Sequence, residues 1–277
     1  MSRKMITDFP WIMGILNITP DSFSDGILTA EQCQEDARRQ WYCRLDNMIT
    51  DGANIIDIGG ESTRPSAYPI TWQEEWSRIQ DFCSYAVQQD NILVSVDTYH
   101  IETAKLAIRC GVDIINDISG VQNFLQMAQS IIDSDVRIIV THNVRNDPEF
   151  YNVEDPIDDI IRSFHDVLSQ SDDIGFHPSR IFFDPGIGFG KTVDQNWKIF
   201  NNLYRLTQSF EQPIVCGVSK KSFLQNRLRS YDTSSQPLTV ATAIMTYHAY
   251  RQGVKIFRVH DVIANRIALN MAELIDR

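Results

Sequence analysis

The chain of 277 residues is 43% hydrophobic and 22% charged, a composition that lets it bury a sizeable core. Its formal charge of -11 and pI near 4.9 argue against nucleic-acid binding and against an anionic membrane surface. An acidic chain that handles a negative ligand must gather its Lys and Arg locally, so the positions of those residues carry information.

In chain order, the first predicted strand is WIMGILN (11–17), which breaks into ITPDSFSDG (18–26), a loop dense in turn formers and hydrogen-bonding side chains. A loop that holds an anion and closes over a ring has this composition. Further apolar, β-branched runs follow at NIIDIGG (54–60), ILVSVDT (92–98), DIINDIS (113–119), RIIVTHN (137–143), RIFFDPG (180–186), PIVCGVS (213–219) and KIFRVHD (255–261). Between them lie helical patterns such as TWQEEWSRIQDFCSYAVQQ (71–89), IETAKLAIRCG (101–111) and PIDDIIRSFHDVLSQ (156–170). Buried strands alternating with helices imply a parallel sheet, and eight such units predict an α/β fold of the (β/α)8 TIM-barrel type. No linker or low-complexity tract divides the chain, so residues 1–277 are read as one domain. The runner-up, an open doubly wound sheet, lacks its G-x-G-x-x-G fingerprint after the first strand.

The cysteines at 33, 43, 83, 110 and 216 form no CxxC pair, which points away from a structural zinc or a disulfide framework. The opening MSRKMITDFPW lacks the apolar core of a signal peptide, and no run approaches the roughly 18 apolar residues of a membrane span. A cytoplasmic protein without membrane partners is therefore expected.

Nearly every predicted strand ends in a residue able to do chemistry: Asn17, Asp57, Asp97, Asn116 with Asp117, His142, Asp184, Ser219, and Arg258 with His260. In a barrel these ends converge on one mouth, where active sites sit. Any one Asp is explained by a helix cap. A whole ring is not, because buried carboxylates are costly unless paired or bound. Within GGESTRPSA (59–67), Thr63 and Arg64 offer a hydroxyl and a guanidinium to an anion. Arg258 and His260 project to one side of the eighth strand, beside Asn17 of the first, and would make a phosphate or pyrophosphate cradle. Asp97, Asn116 and Asp184 suit a flat heterocycle rich in N–H donors. DPGIGFGK (184–191) is not a Walker P-loop, since Pro185 stands where the first Gly is needed. GVSKKSF (217–223) opens a helix, with Lys221 reaching inward and Ser222 beside free N–H groups that could receive a carboxylate. His142 is left unassigned, and no nucleophile–His–acid arrangement stands out.

With these residues in hand, the chain resembles the dihydropteroate synthases. MGILNITPDSFSDG and GANIIDIGGESTRPSA look like that family's signature segments, and SVDT, NDISG, FFDPGIGFGK, GVSKKSF and RVHD match its later motifs in order, from about residue 11 to 262. VTHNVRND (140–147) departs, keeping the family's His without its flanking Met residues and following Gly. The resemblance implies a TIM-barrel homodimer that joins 6-hydroxymethyl-7,8-dihydropterin pyrophosphate to 4-aminobenzoate, releasing pyrophosphate with Mg²⁺ present. It implies that Asp97, Asn116, Asp184 and Lys221 grip the pterin, with Asp97, Asp184 and Lys221 serving catalysis. Asn17 would help hold Mg²⁺. Thr63, Arg258 and His260 would bind the pyrophosphate, with Arg64 and Val259 also among the substrate-binding residues. Ser222 would receive the aminobenzoate carboxylate, with Pro65, Phe189, Phe23 and Asp25 shaping the pocket around its ring. Two rivals share the pterin residues: a pterin-dependent methyltransferase domain, which should lack SFSDG and GVSKKS, and an idle paralogue, against which Asn17, Lys221, Arg258 and His260 argue.

Overall fold

Strands form here where isoleucine, valine and phenylalanine run unbroken, and the flanking polar residues decide where each strand stops. The computed structural model describes residues 9–19, 30–61, 68–144, 151, 153–228 and 236–275. Along them run β1 (Trp11–Asn17), α1 (Ala30–Thr50), β2 (Ile55–Gly59), α2 (Trp72–Ala86), β3 (Leu93–Asp97), α3 (Ile101–Cys110), β4 (Ile114–Asp117) and α4 (Phe124–Ser130). The second half adds β5 (Arg137–Thr141), α5 (Pro156–Ile174), β6 (Ile181–Asp184), α6 (Val193–Asn201), α7 (Leu203–Ser209), β7 (Val215–Cys216), α8 (Ser222–Leu228), α9 (Gln236–Arg251), β8 (Ile256–Val259) and α10 (Val262–Ile275). The expected strands are all present and mostly shorter than their apolar runs. Asn17, Asp57, Asp97, Asn116, Asp184 and Arg258 all stay within their strands.

Among the described residues the strands form one parallel sheet in the order β6-β5-β4-β3-β2-β1-β8-β7. The two edges meet through a bridge between Phe183 and Ile214 and a 3.0 Å bond from the Phe183 N–H to the Pro213 carbonyl, which nearly closes a (β/α)8 barrel. The seam is thin because Pro213 has no N–H to give and β7 spans only two residues.

Strand alternation sorts the core into two. Trp11, Met13, Ile55, Leu93, Ile114, Ile139, Phe182, Val215 and Ile256 point inward and plug the barrel. The alternate positions, such as Ile12, Ile56, Val94, Ile115, Ile138, Phe183 and Phe257, pack outward against the helices. Both faces are apolar, which is why each strand reads as a continuous run.

The helices start where short polar side chains can cap them. Thr71 Oγ1 accepts from the Glu74 N–H at 3.3 Å to open α2. Asp155 accepts from the Ile157 N–H at 3.0 Å, Pro156 takes the first turn of α5, and Gly175 ends it at φ 72°. α5 buries Ile157, Ile160, Phe164 and Val167, at the spacing of one helical face. No helix among the described residues is long and apolar enough to cross a membrane.

Phe164 is fully buried and stacks on Phe183 of β6 with ring centroids 4.1 Å apart. Phe164→Ala should destabilise the barrel by about 3–5 kcal/mol. The check is a urea titration, in which the midpoint falls while the slope stays constant; an unmoved midpoint would contradict this account of the core.

Candidate active site

Above the apolar plug the inward positions turn polar. Asp57, Ser95, Asn116, Thr141 and Asp184 are all buried there. Asn17, Gly59, Asp97 and Asn116 lie side by side in register across β1 to β4. A Cβ on Gly59 would stand 3.3 Å from Asn17 Oδ1 and 3.5 Å from the Asp97 Cβ, so the missing side chain keeps that rung open to a ligand.

Arg258 crosses the barrel to this rung from β8. Its Nε donates to Asp57 Oδ2 at 2.6 Å and its Nη2 to Asp97 Oδ2 at 2.5 Å. Asn116 Nδ2 donates to the same Asp57 oxygen at 3.1 Å. With that amide nitrogen committed, the Asn116 Oδ1 is the atom left to accept from a ligand. Two carboxylates thus share one guanidinium, and burial pushes the Asp97 carboxyl up to about 7 against the pull of Arg258. Burial works to lower the Arg258 pKa, but the paired carboxylates outweigh it and raise the pKa above its ordinary value.

Asp57 is the site residue that sequence reasoning noticed and did not assign. Its position two residues before the Gly59-Gly60 pair matched the other strand-end carboxylates. Its partners, though, are 201 and 59 residues away in the chain.

Opposite stands Asp184. Its Oδ1 accepts from the Gly186 N–H at 2.7 Å, and burial raises its pKa while Lys221 and that N–H oppose the shift. A Cβ on Gly217 would be 3.7 Å from Asp184 Oδ2, 3.8 Å from the Arg258 Cβ and 3.9 Å from Lys221 Nζ, so these three residues meet over the β7 end. The Lys221 ammonium donates to the Ile187 carbonyl and lies 4.6 Å above the Phe189 ring. Phe189 is itself buried beneath it. Beside Arg258, the His260 backbone N–H donates to Ser219 Oγ at 3.2 Å and ring Nδ1 lies 3.0 Å from the same oxygen. With the Ser219 hydroxyl proton turned to Nδ1, the ring carries its proton on Nε2, a donor suited to an anion.

Strand parity removes other candidates. Val259 follows Arg258 and so points outward, 1% exposed in the core beneath the helices. Its side chain therefore lies on the outer face of β8, away from the mouth. Asp117 points away from Asn116 and accepts from the Ser119 N–H at 2.8 Å, its carboxyl pushed up to about 6 by burial. His142 Nε2 lies 3.3 Å from Asp159 Oδ2 of α5, on the outer side of the barrel wall. Ser222 does begin α8, as expected of a helix start. Phe23, Asp25, Thr63, Arg64 and Pro65 lie outside the described residues.

A polar rung of this kind at the carboxyl mouth of a parallel barrel fits a donor-rich ring with an anionic tail. The comparisons with known proteins agree. The family model described as pterin binding enzyme matches residues 13–260. A dihydropteroate synthase of Clostridium beijerinckii is 36% identical over 96% of this chain and 94% of its own length. The chain belongs to the dihydropteroate synthase family. The solved dihydropteroate synthase of Clostridium difficile, determined in the presence of pteroic acid, is 33% identical and superposes with a TM-score of 0.85 over 97% of each chain. That of Anaplasma phagocytophilum, with bound 6-hydroxymethylpterin monophosphate, is 31% identical, with a TM-score of 0.83 over 96% of this chain and 98% of its own. Like them, this member of the family is a transferase on a (β/α)8 barrel.

The raised Asp97 carboxyl carries a signed consequence. A carboxyl with a folded pKa above its unfolded one holds its proton on folding. The parent therefore loses stability as pH rises from the unfolded value, near 4, to about 7. Asp97→Asn removes that group, so the variant should gain stability relative to the parent across this window and level off above it. Urea midpoints of both proteins through the window test this, and a pH-independent difference would refute it.

Proposed function

We propose that the chain condenses 6-hydroxymethyl-7,8-dihydropterin pyrophosphate with 4-aminobenzoate, giving 7,8-dihydropteroate and pyrophosphate, and that the barrel-mouth residues above hold the reactants. The observation that carries this reading is the meeting of Asp184, Lys221 and Arg258 over Gly217, across the barrel from Asp97 and Asn116. The pteroic acid present with the Clostridium difficile relative joins a pterin and an aminobenzoate in one molecule, and the Anaplasma relative's ligand carries the pterin with a phosphate.

In this proposal the Asp184 carboxylate and the Asn116 Oδ1 accept from the pterin N–H groups, and Lys221 donates to its ring acceptors. The aminobenzoate nitrogen forms a bond to the pterin methylene as the C–O bond to pyrophosphate breaks. The pyrophosphate keeps the bonding electrons and the new secondary amine loses one proton. Positive charge grows on the ring and negative charge on the leaving group. Buried Asp97 and Asp184 stabilise the first, and the remaining N–H donors of Arg258 with His260 stabilise the second. An arylamine is a competent nucleophile, so no strong base is needed. Thr63 and Arg64 are proposed to add donors to the pyrophosphate. Ser222 is proposed to receive the aminobenzoate carboxylate, with Pro65, Phe23, Asp25 and Phe189 beside its ring.

Magnesium fits this donor set. Among the described residues no group of three His, Cys, Asp or Glu side chains gathers to hold a metal alone. Asn17 offers one amide oxygen at the open rung, and Mg²⁺ characteristically takes one or two protein donors and completes its shell with substrate phosphates and water. Asn17 is therefore the proposed protein ligand. When bound, Mg²⁺ supplies charge neutralisation on the departing pyrophosphate.

Association into a homodimer is also proposed. Ile263, Ile267 and Met271 of α10 are about half exposed in one helical stripe, beside exposed Val240 and Ile244 of α9, a patch that two copies would cover. Ile267→Glu should convert a dimer to a monomer in sedimentation; a monomeric parent would reject the proposal.

The decisive test is pyrophosphate release by purified protein with Mg²⁺ and the pterin pyrophosphate, with and without 4-aminobenzoate. Release that requires 4-aminobenzoate and matches dihydropteroate formed is expected. Asp184→Asn should weaken pterin binding by about tenfold or more, since it sets an amide donor against ring N–H donors. Tight pterin binding without turnover would instead favour an idle paralogue.

A further inference from the structure

We infer that Lys191 is a positioning residue for Asp184 and Lys221, holding the turn after β6 in the one shape that aims both at the ligand; this rests on the pterin recognition proposed above. Lys191 is 8% exposed, although it sits in a loop. Its ammonium donates to the His142 carbonyl at 2.7 Å and to the Gly186 carbonyl at 2.9 Å, fastening the end of β5 to the turn that follows β6. The fit leaves no room for slack. Gly186 has φ 66°, and a Cβ there would fall 2.0 Å from the His142 carbonyl oxygen and 3.0 Å from Lys191 Nζ.

The far side of the turn is held as firmly. Asn196 Oδ1 accepts from the Gly188 N–H at 2.6 Å, while its Nδ2 donates to the Lys191 carbonyl at 3.1 Å and the Thr192 carbonyl at 2.9 Å. Between these two fastenings lie the groups that face the site. The Gly186 N–H binds Asp184, the Ile187 carbonyl receives the Lys221 ammonium, and Phe189 lies under it. Release of Lys191 would free all three contacts together.

The charge of Lys191 adds a second effect. Asp184 faces Lys221 and Cys216 from the β7 side, Arg258 from β8, and Lys191 from its own loop. From the end of β5 the His142 backbone N–H donates to the Asp184 backbone carbonyl at 2.9 Å, and the His142 ring is turned to Asp159. Each cation favours the ionised carboxylate against burial, so loss of Lys191 should require a higher pH to ionise Asp184.

The test compares the parent with Lys191→Met, using calorimetric titration with 6-hydroxymethylpterin at a series of pH values and steady-state kinetics with both substrates. The expected result is a loss of pterin affinity of about tenfold or more at neutral pH. The acid limb of binding should move to higher pH, and KM for the pterin pyrophosphate should rise. If Lys191→Met fails to fold, Lys191→Gln keeps N–H donors without the charge and should show the same movement of the acid limb with a smaller loss of affinity. Affinity within about twofold of the parent overturns the inference, as does a loss equal at every pH accompanied by a fall in melting temperature, which would mark Lys191 as merely structural. A parent that neither binds pterin nor turns over overturns the proposed function itself; a working parent with an unaffected variant overturns only the role of Lys191.

Discussion

One guanidinium shared by two buried carboxylates is the constraint on which the mouth of this barrel depends. Arg258 belongs to the last strand, Asp57 and Asp97 to the second and third, and none of the three could be buried without the others. Their pairing requires β8 to lie beside β1 and the sheet to curl until it nearly closes, so it rewards the barrel over any open arrangement. It also leaves the trio with one carboxylate more than it has cations. Burial is the main reason the Asp97 carboxyl sits so high, with the Asp57 charge adding to it, and the excess makes the pocket receptive to a ligand that brings N–H donors or growing positive charge.

Much of this was legible in the sequence, and the unreadable part has a definite physical cause. β-branched runs located all eight strands, and a polar residue at the end of each located the mouth. Parity was hidden. In a parallel barrel both faces of a strand are apolar, so hydropathy cannot say which of two neighbouring polar residues points inward. Asn116 and Asp117 illustrate the difficulty, since the pair straddles the wall. Side-chain pairing was hidden too, because Asp57 and Arg258 are brought together by closure and by nothing near either in the chain. The resemblance of motifs supplied roles for Asp97, Asn116 and Arg258 but not the oxygen of Asp57 that fixes two of them.

The segment DPGIGFGK shows a different limit. Glycines at 186, 188 and 190 all adopt positive φ, a backbone shape that other side chains would strain. Its likeness to a phosphate loop ends there. The lysine that a Walker loop would extend toward a phosphate is instead folded back under the turn, bonded to two backbone carbonyls. A buried ammonium is an expensive fastening, and a neutral side chain would fill the space at less desolvation cost. Its retention makes sense where a carboxylate, Asp184, must stay ionised close by.

Taken around the barrel, the polar side chains at the mouth carry both charges. Carboxylates come from β2, β3 and β6, whereas Arg258, His260 and Lys221 come from β8 and from the segment between β7 and α8, with the neutral amide of Asn17 next to them on β1. In the proposed reaction, positive charge develops on the ring and negative charge on the leaving pyrophosphate, so the transition state is more dipolar than either substrate. Carboxylates and cations already fixed in place bind that dipole more strongly than the ground state, because the residues are oriented in advance and hold each other through the Asp57–Arg258–Asp97 contacts. The same contacts that let the barrel bury its charges therefore set the direction of the field in which the C–O bond would break.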